Sequence, residues 1–255
     1  MMRDKKSSIG LISKICSYWR QHIDEDEFQF YRTMLREAGG KALELACGGG
    51  RLMLRLLHEG YQVDGVDSCP FLIDVLNRKA KNAWLNPSLF HQRLESVDFS
   101  DSSYKLIYIP LGSFQLVSDR ELAQLALNKY FKIIESGGKL VISLFLPWTH
   151  DHLDTGGWQI IRDVKLRIKN QRYVEREATI HDPVEQIIQA RTRFELWDGK
   201  DILQFEEREM HLRWYSKGEF IALLKAAGFS SVKTLRSYRE GPPYRDSFML
   251  FIAQK

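Results

Sequence analysis

No stretch of this 255-residue chain is apolar for long enough to cross a bilayer as a helix; its longest hydrophobic runs are strand-sized, so no membrane partner is expected. Cysteine is scarce. Cys16, Cys47 and Cys69 form no CxxC pair and are odd in number, which argues against a disulfide framework and for a reducing, cytoplasmic setting. Charge is not concentrated in one sign either: 37 Lys and Arg stand against 33 Asp and Glu, and the basic residues are scattered among acids. A net charge of +4 without a basic stripe disfavours a nucleic-acid partner. The opening MMRDKKSSIGLISKIC has basic residues before a short apolar patch, but Ser13 and Lys14 break the patch and no small-residue cleavage site follows. It reads as an amphipathic start rather than a signal peptide. Both phosphate-binding glycine patterns, GxGxxG and GxxxxGK[ST], are absent, which disfavours NAD, FAD and ATP.

What is present centres on residues 41–50, KALELACGGG. Lys41 to Ala46 has the length and apolarity of a buried parallel strand carrying one acid, Glu44, and it breaks into Gly48, Gly49 and Gly50. Leu52, Met53, Leu56 and Leu57 then repeat at helical spacing up to Gly60. Glycines at a strand-to-helix junction accept positive φ and let a ligand lie against bare main chain beside the unpaired N–H groups of the helix start. A second strand, YQVDGVD, ends in Asp67, where a Rossmann-like sheet holds an acid for ribose hydroxyls.

ELACGGGR followed by GVDSCPFL resembles the first two motifs of the class I S-adenosylmethionine-dependent methyltransferases, usually ELGCGTGR and GVDLSPEML, in their small-molecule, methyltransferase-domain-25-like form. The resemblance implies that Glu44 lies near the methionine amino end of S-adenosylmethionine and that Ala46, Cys47, Gly48 and Gly50 frame methionine and ribose. It further implies that Asp67, with Ser68 beside it, takes the ribose hydroxyls and that Leu72 flanks the adenine. LESVDF resembles a later family segment, placing Glu95 and Ser96 near the adenine amino group; IPLGSFQLV, with Pro110, resembles the fourth motif, which runs into the active site. The chain departs from the pattern at Ala46, Cys69 and Glu95, where glycine, serine and aspartate are commoner. The resemblance covers residues 24–146 and returns at 214–255.

The rest of the chain fits an α/β fold. Acids at 24–27 precede Phe28, Tyr31 and Leu35 at helical spacing, and Ser68 with Pro70 reads as the start of a helix filled by Leu72, Ile73, Leu76 and Ala80. Ser118 with Glu121, and Ser216 with Glu219, have capping-box spacing. LIYIP and ESGGKLVISLF read as strands four and five, and SVKTLRSY and SFMLFIAQ as a closing pair whose short link makes them antiparallel. The expected architecture is a Rossmann-like, seven-stranded, mostly parallel sheet with a reversed last strand. Residues 158–213 alternate like three or four antiparallel strands inserted after strand five. The expected divisions are a helical cap at 1–40, a cofactor-binding core at 41–146 and 214–255, and inserted strands at 147–213 that act as a substrate lid or a dimer contact. A homodimer is one arrangement this allows.

Methyl transfer from a sulfonium is an in-line displacement that needs alignment and dry walls rather than a protein nucleophile, so no universal catalytic residue is expected. An amine or hydroxyl acceptor is helped by a base, for which His150, His152, His181 and Gln115 are candidates by type or position. Tyr31, Ser113, Gln115, Trp148 and Arg193 are the candidate acceptor contacts; Tyr18, Trp19 and Tyr108 are further aromatics on the cofactor side. Arg191 and Arg193 alternate with Thr192 and Phe194, so the two arginines share one sheet face. Cys47, with no base beside it in sequence, reads as a small packed side chain. THDHLD at 149–154 resembles the HxHxD core of metallo-β-lactamase-like hydrolases, but Thr155 stands where that family has a histidine, and no metal is expected. The expected methyl acceptor is a small molecule, modified on N or O, with S-adenosylhomocysteine as the product. Nucleic acid or protein as acceptor is the alternative, disfavoured by the lack of an NPPY or DPPY tetrapeptide in the fourth motif; GPPY at 241–244 falls between the last two strands. A non-catalytic scaffold is a third reading, opposed by the presence of Glu44, the glycines and Asp67.

Overall fold

Alternate residues of the central strands belong to two different cores, and that split generates the layering. In the computed structural model, which describes residues 10, 11, 15, 23–99, 103–146, 156–166, 170–238 and 248–255, the first half of the chain alternates helix and strand. These elements are α1 (Glu25–Ala38), β1 (Ala42–Leu45), α2 (Met53–His58), β2 (Val63–Asp67), α3 (Pro70–Asn82), β3 (Leu89–His91), β4 (Tyr104–Ile109), α4 (Arg120–Ile133) and β5 (Ile134–Phe145). Four strands follow, β6 (Gln159–Lys165), β7 (Gln171–Asp182), β8 (Ile187–Asp198) and β9 (Asp201–Arg213), then α5 (Lys217–Ala226), β10 (Ser231–Leu235) and β11 (Phe248–Gln254).

Ala42, Leu106, Tyr108 and Val141 pack with Phe28, Tyr31 and Leu35 of α1, Met53 and Leu56 of α2, and Leu76 of α3. Their neighbours Leu43, Leu45, Ile107, Ile109, Leu140 and Ile142 face the other way, against Ala123, Leu127 and Tyr130 of α4 and Phe220 and Leu224 of α5. A sheet covered on both faces has strands that read as continuous apolar runs, which is why β1 is buried along its whole length. The sheet has the order β10-β11-β5-β4-β1-β2-β3, with β11 antiparallel to both its neighbours and the strands from β1 to β5 parallel. This is the expected seven-stranded Rossmann-like arrangement. After β1 the chain builds outward to β2 and β3, and after β4 it builds in the opposite direction, so the strand order reverses between β1 and β4.

The inserted strands form a separate antiparallel sheet, β6-β7-β8-β9. One of its faces is turned inward: Ile188, Ala190, Thr192 and Phe194 are buried, and Leu11 and Ile15 pack on Phe194 beside Tyr173 and Leu196. Arg213, at the end of β9, is buried and fastens the sheet to the core. Its Nε donates to the Ser118 carbonyl at 2.5 Å and its Nη1 to the Glu185 carbonyl at 2.8 Å. The Gln186 amide completes the joint by donating to Glu219 on α5.

Helix starts follow side-chain chemistry, with two departures from the spacing argument. Asp24 caps α1, and the Ser216 and Glu219 capping box on α5 forms in full. At α4, however, the cap is Asp119, whose carboxylate accepts from the Leu122 N–H, and not Ser118. At α3 no side chain of the helix caps it; Ser68 lies one residue too early, and Asp67 accepts the Cys69 N–H instead. Asp119→Ala is therefore expected to lower stability by about 1 kcal/mol while Ser118→Ala stays within about 0.5 kcal/mol, as read from urea unfolding midpoints.

Candidate functional site

The turns that leave β1, β2 and β4 enclose a cavity of about 300 Å³, at the carboxyl ends of the strands where their order reverses. Open α/β sheets bind ligands at such a switch point, and the volume lies at the lower end of small-molecule sites. Glu44 is its deepest acid. The residue sits on the same side of β1 as Ala42, directly opposite Tyr108 of β4, whose hydroxyl donates to its carboxylate at 2.9 Å. Tyr108 is itself stacked on Tyr31, with ring centroids 5.0 Å apart. Burial pushes the Glu44 carboxyl up to about 8, opposed by the Tyr108 hydrogen bond and by Arg51, and reinforced by Glu27 and Asp67. Arg51 is committed elsewhere: both of its terminal nitrogens donate to Glu27 of α1 at 2.6 Å. That bidentate pair pins α1 against the glycine turn, and removing one partner of so buried a pair costs on the order of 3–5 kcal/mol.

Asp67 organises the turns from the other side. One carboxylate oxygen accepts the Gly48 N–H and the other the Cys69 N–H, each at 2.8 Å, so one side chain ties the loop after β1 to the loop after β2. The backbone between them is tight. Ala46 has φ 59° and Gly48 φ 56°; a left-handed residue with a Cβ costs about 1–2 kcal/mol, which is the physical reason glycine is usual at Ala46 in the family it resembles. Gly50 has a different role from the one the resemblance implies. A Cβ there would lie 2.3 Å from Leu76, so this glycine allows α3 to pack against the turn and does not line the cavity.

Of the sequence-predicted cofactor residues, Glu44, Ala46, Cys47, Gly48, Asp67, Ser68, Leu72, Glu95 and Pro110 line the cavity; Gly50 and Ser96 do not. Glu95 is held by Arg93, and the Ser96 hydroxyl donates to the Arg93 carbonyl. The Cys47 thiol is pushed well above its usual range by burial and by Glu44 and Asp67, so it stays protonated and packed rather than nucleophilic. Among the predicted acceptor contacts Ser113 lines the wall. Tyr31 is fully buried behind Tyr108, away from the wall. Gln115 is also fully buried: its oxygen accepts the Phe145 N–H at 2.5 Å and its nitrogen donates to the Phe145 carbonyl, so it completes the hydrogen bonding at the end of β5. Arg193 lies on the outward face of the inserted sheet, paired with Glu195 and Glu207 and stacked over Phe205. Trp148, His150, His152, Tyr18, Trp19 and the THDHLD segment lie outside the described residues, and His181 is on β7 beside Trp214.

Several wall residues escaped the sequence reading: Lys79, Gln92, Arg93, Leu94, Leu111, Leu116 and Arg208. Arg208 was legible in principle, because it has the opposite strand parity to Arg193 and pairs with buried Thr192. The cavity thus combines a buried carboxylate whose neighbouring cation, Arg51, is paired with Glu27, an acid-tied glycine turn, and apolar flanks from Leu72, Leu94 and Pro110. Such a wall suits a ligand with an ammonium group, ribose hydroxyls and a flat base.

Residues 42–138 match the family model described as a methyltransferase domain. Those residues carry a methyltransferase domain. Over 220 residues it is 21% identical to the protein named "Putative methyltransferase YqeM" of Bacillus subtilis, a match that takes in 85% of this chain and 84% of that one. Its fold superposes on the sugar N-methyltransferase KedS8 from Streptoalloteichus sp ATCC 53650 with a TM-score of 0.76 at 18% identity, covering 100% of this chain and 97% of that chain. The S-adenosylmethionine-bound amino pentose methyltransferase CalS10 from Micromonospora echinaspora gives 0.71 at 14% identity, covering 98% and 99%.

The methyltransferase domain makes Glu44 a proton-linked group. Near pH 7, below its raised value of about 8, the carboxyl of the free domain is mostly protonated, and an incoming ammonium group favours the ionised form. Binding of S-adenosylhomocysteine at pH 7 is therefore expected to release close to one proton and to tighten as pH rises toward 8. Calorimetry in two buffers of different ionisation enthalpy checks this; Glu44→Gln should abolish the release.

Proposed function

We propose that this chain transfers a methyl group from S-adenosylmethionine to a nitrogen or oxygen atom of a small molecule in the cytoplasm. The observation that carries the reading is the division of the cavity wall. Glu44, Asp67 and the apolar flanks account for one part, while Ser113, Leu116 and Val117 of the fourth-motif segment and Arg208 of the inserted sheet add wall residues beyond the turns after β1 and β2. KedS8 and CalS10, whose names describe a sugar and an amino pentose methyltransferase, lend support to a small acceptor. The buried free thiol of Cys47 agrees with a reducing compartment.

Bound S-adenosylmethionine supplies an electrophilic methyl group for in-line displacement. The chain's own residues do the rest. Glu44 would accept from the ammonium end, Asp67 would receive ribose hydroxyls while keeping the two turns in place, and Leu72 and Leu94 would exclude water along the base. Ser113, opposite, offers a hydroxyl to the acceptor. Methyl transfer depends chiefly on alignment, an effect worth about 7–11 kcal/mol when well made. An acceptor amine that reaches the site uncharged needs no base.

The test is methyl transfer from isotopically labelled S-adenosylmethionine into a cell metabolite extract, an oligonucleotide pool and a denatured protein pool. Label is expected in the small-molecule fraction, at least tenfold above the other two. Label confined to nucleic acid or protein would refute the small-molecule reading.

A further inference from the structure

Beyond the turns after β1 and β2, the cavity wall presents a guanidinium beside exposed apolar side chains. β9 packs against the 3-10 turn Ser113–Leu116 that follows β4. Five residues after Arg208, the Arg213 side chain is bonded to the Ser118 carbonyl, so the strand is fixed over that segment. Arg208 is half-buried and joins Ser113, Leu116 and Val117 in the wall. Its backbone lies opposite Thr192 in an unbroken stretch of the β8–β9 ladder, and a side chain carried by a strand is placed more precisely than one on a loop. Glu177, the acid that responds to its charge, stands on β7, two strands and roughly 10 Å from β9.

The other wall cations come from the cofactor side. Arg51 is bound to Glu27 through both terminal nitrogens, Arg93 to Glu95, and the Lys79 ammonium donates to the Gly49 carbonyl at 3.3 Å. Arg208 is thus the cation that the inserted sheet brings to the cavity. Near it the wall is apolar and open: Leu111 and Leu116 line the cavity yet are 39% and 48% exposed. Leu111 has φ 55°, a left-handed backbone that costs a leucine about 1–2 kcal/mol. Its surroundings hold it there, since the next residue, Gly112, has φ 70°, donates its N–H to the Ser143 hydroxyl at 3.4 Å and would bring a Cβ to 3.0 Å from the Gln115 side chain. Backbone strain maintained by its surroundings is typical of ligand sites. A planar guanidinium can pair with two oxygens of a carboxylate or phosphate at once, and apolar pocket walls cover apolar ligand bodies.

We infer that the methyl acceptor is an amphipathic anion: Arg208 receives its carboxylate or phosphate group, and Leu111 and Leu116 cover its apolar body. The inference rests on the small-molecule reading above and deepens it, because it names the acceptor's charge and assigns its recognition to a residue outside the cofactor-binding core.

The experiment uses the full chain, labelled S-adenosylmethionine and a cell metabolite extract at pH 7, and separates the labelled product by anion exchange and then, after acidification, on an apolar resin. Retention on both is expected; anion retention that phosphatase abolishes identifies a phosphate, and retention that survives it identifies a carboxylate. Arg208→Gln should lower kcat/KM for that acceptor at least tenfold while S-adenosylhomocysteine affinity stays within twofold. Arg208→Lys, which keeps the charge without the planar fork, should fall between, and Arg191→Gln on the outward face should change neither quantity. A small-molecule product that either support fails to retain, or an anionic product formed equally well by Arg208→Gln, overturns the inference. So does a loss of S-adenosylhomocysteine affinity in Arg208→Gln with its urea unfolding midpoint unchanged, which would make the guanidinium a cofactor contact. Should Arg208→Gln fail to fold, Arg208→Lys decides, and an unchanged kcat/KM overturns the inference. Label that enters no small molecule would instead overturn the reading on which it rests.

Discussion

A carboxylate buried at the end of a central strand is the constraint around which the site is arranged. Glu44 is placed inside by strand parity: the alternation that sends Leu43 and Leu45 into the core beneath α4 sends Glu44 toward α1. Once there it needs a donor, and Tyr108, its register partner on β4, provides one. The nearest cation, Arg51, is bound to Glu27 and serves to hold α1 over the turn. The result is a carboxyl that burial keeps mostly protonated near pH 7 in the free fold and that a cationic ligand would ionise.

The glycine turn and Asp67 translate that electrostatic site into a shaped one. Backbone N–H groups at Gly48 and Cys69 converge on one carboxylate, so the ends of β1 and β2 move together. The inserted sheet is joined to the same region through Arg213 and the Ser118 carbonyl, which lies in the segment between Ser113 and α4 that borders the cavity. The inserted sheet and the two turns are therefore held to the same region by the Arg213 and Asp67 side chains, each bonded to main-chain groups. This favours alignment, on which methyl transfer chiefly depends.

Much of this was legible in the sequence because it rests on patterns that burial enforces. The apolar runs around Leu43, Ile107 and Val141, the helical spacing of α1, and the alternation through β7 and β8 follow from which faces must leave water. The Ser216 capping box and the reversed last strand were equally readable. What escaped was decided by competition or by tertiary geometry. Ser118 and Asp119 are both good caps, and a one-residue difference in helix start chose Asp119. Gly50 reads like a ligand glycine, yet its constraint comes from Leu76 across space. Gln115 lies in the expected active-site motif but completes the hydrogen bonding of β5. Arg193 and Arg208 are chemically alike, and only the knowledge of which sheet face turns inward separates them.

The central claim is that the cavity between β1, β2 and β4 takes S-adenosylmethionine through Glu44 and Asp67, and calorimetric titration of the purified chain tests it most directly. S-adenosylmethionine and S-adenosylhomocysteine are expected to bind in the micromolar range, NAD and ATP not to bind, and Asp67→Ala to weaken the first two at least tenfold. Asp64→Ala, whose native carboxylate is spent on Lys41 and Tyr104, should leave those affinities unchanged. Absence of binding by both sulfur ligands, or equal losses in the two variants, would contradict the account.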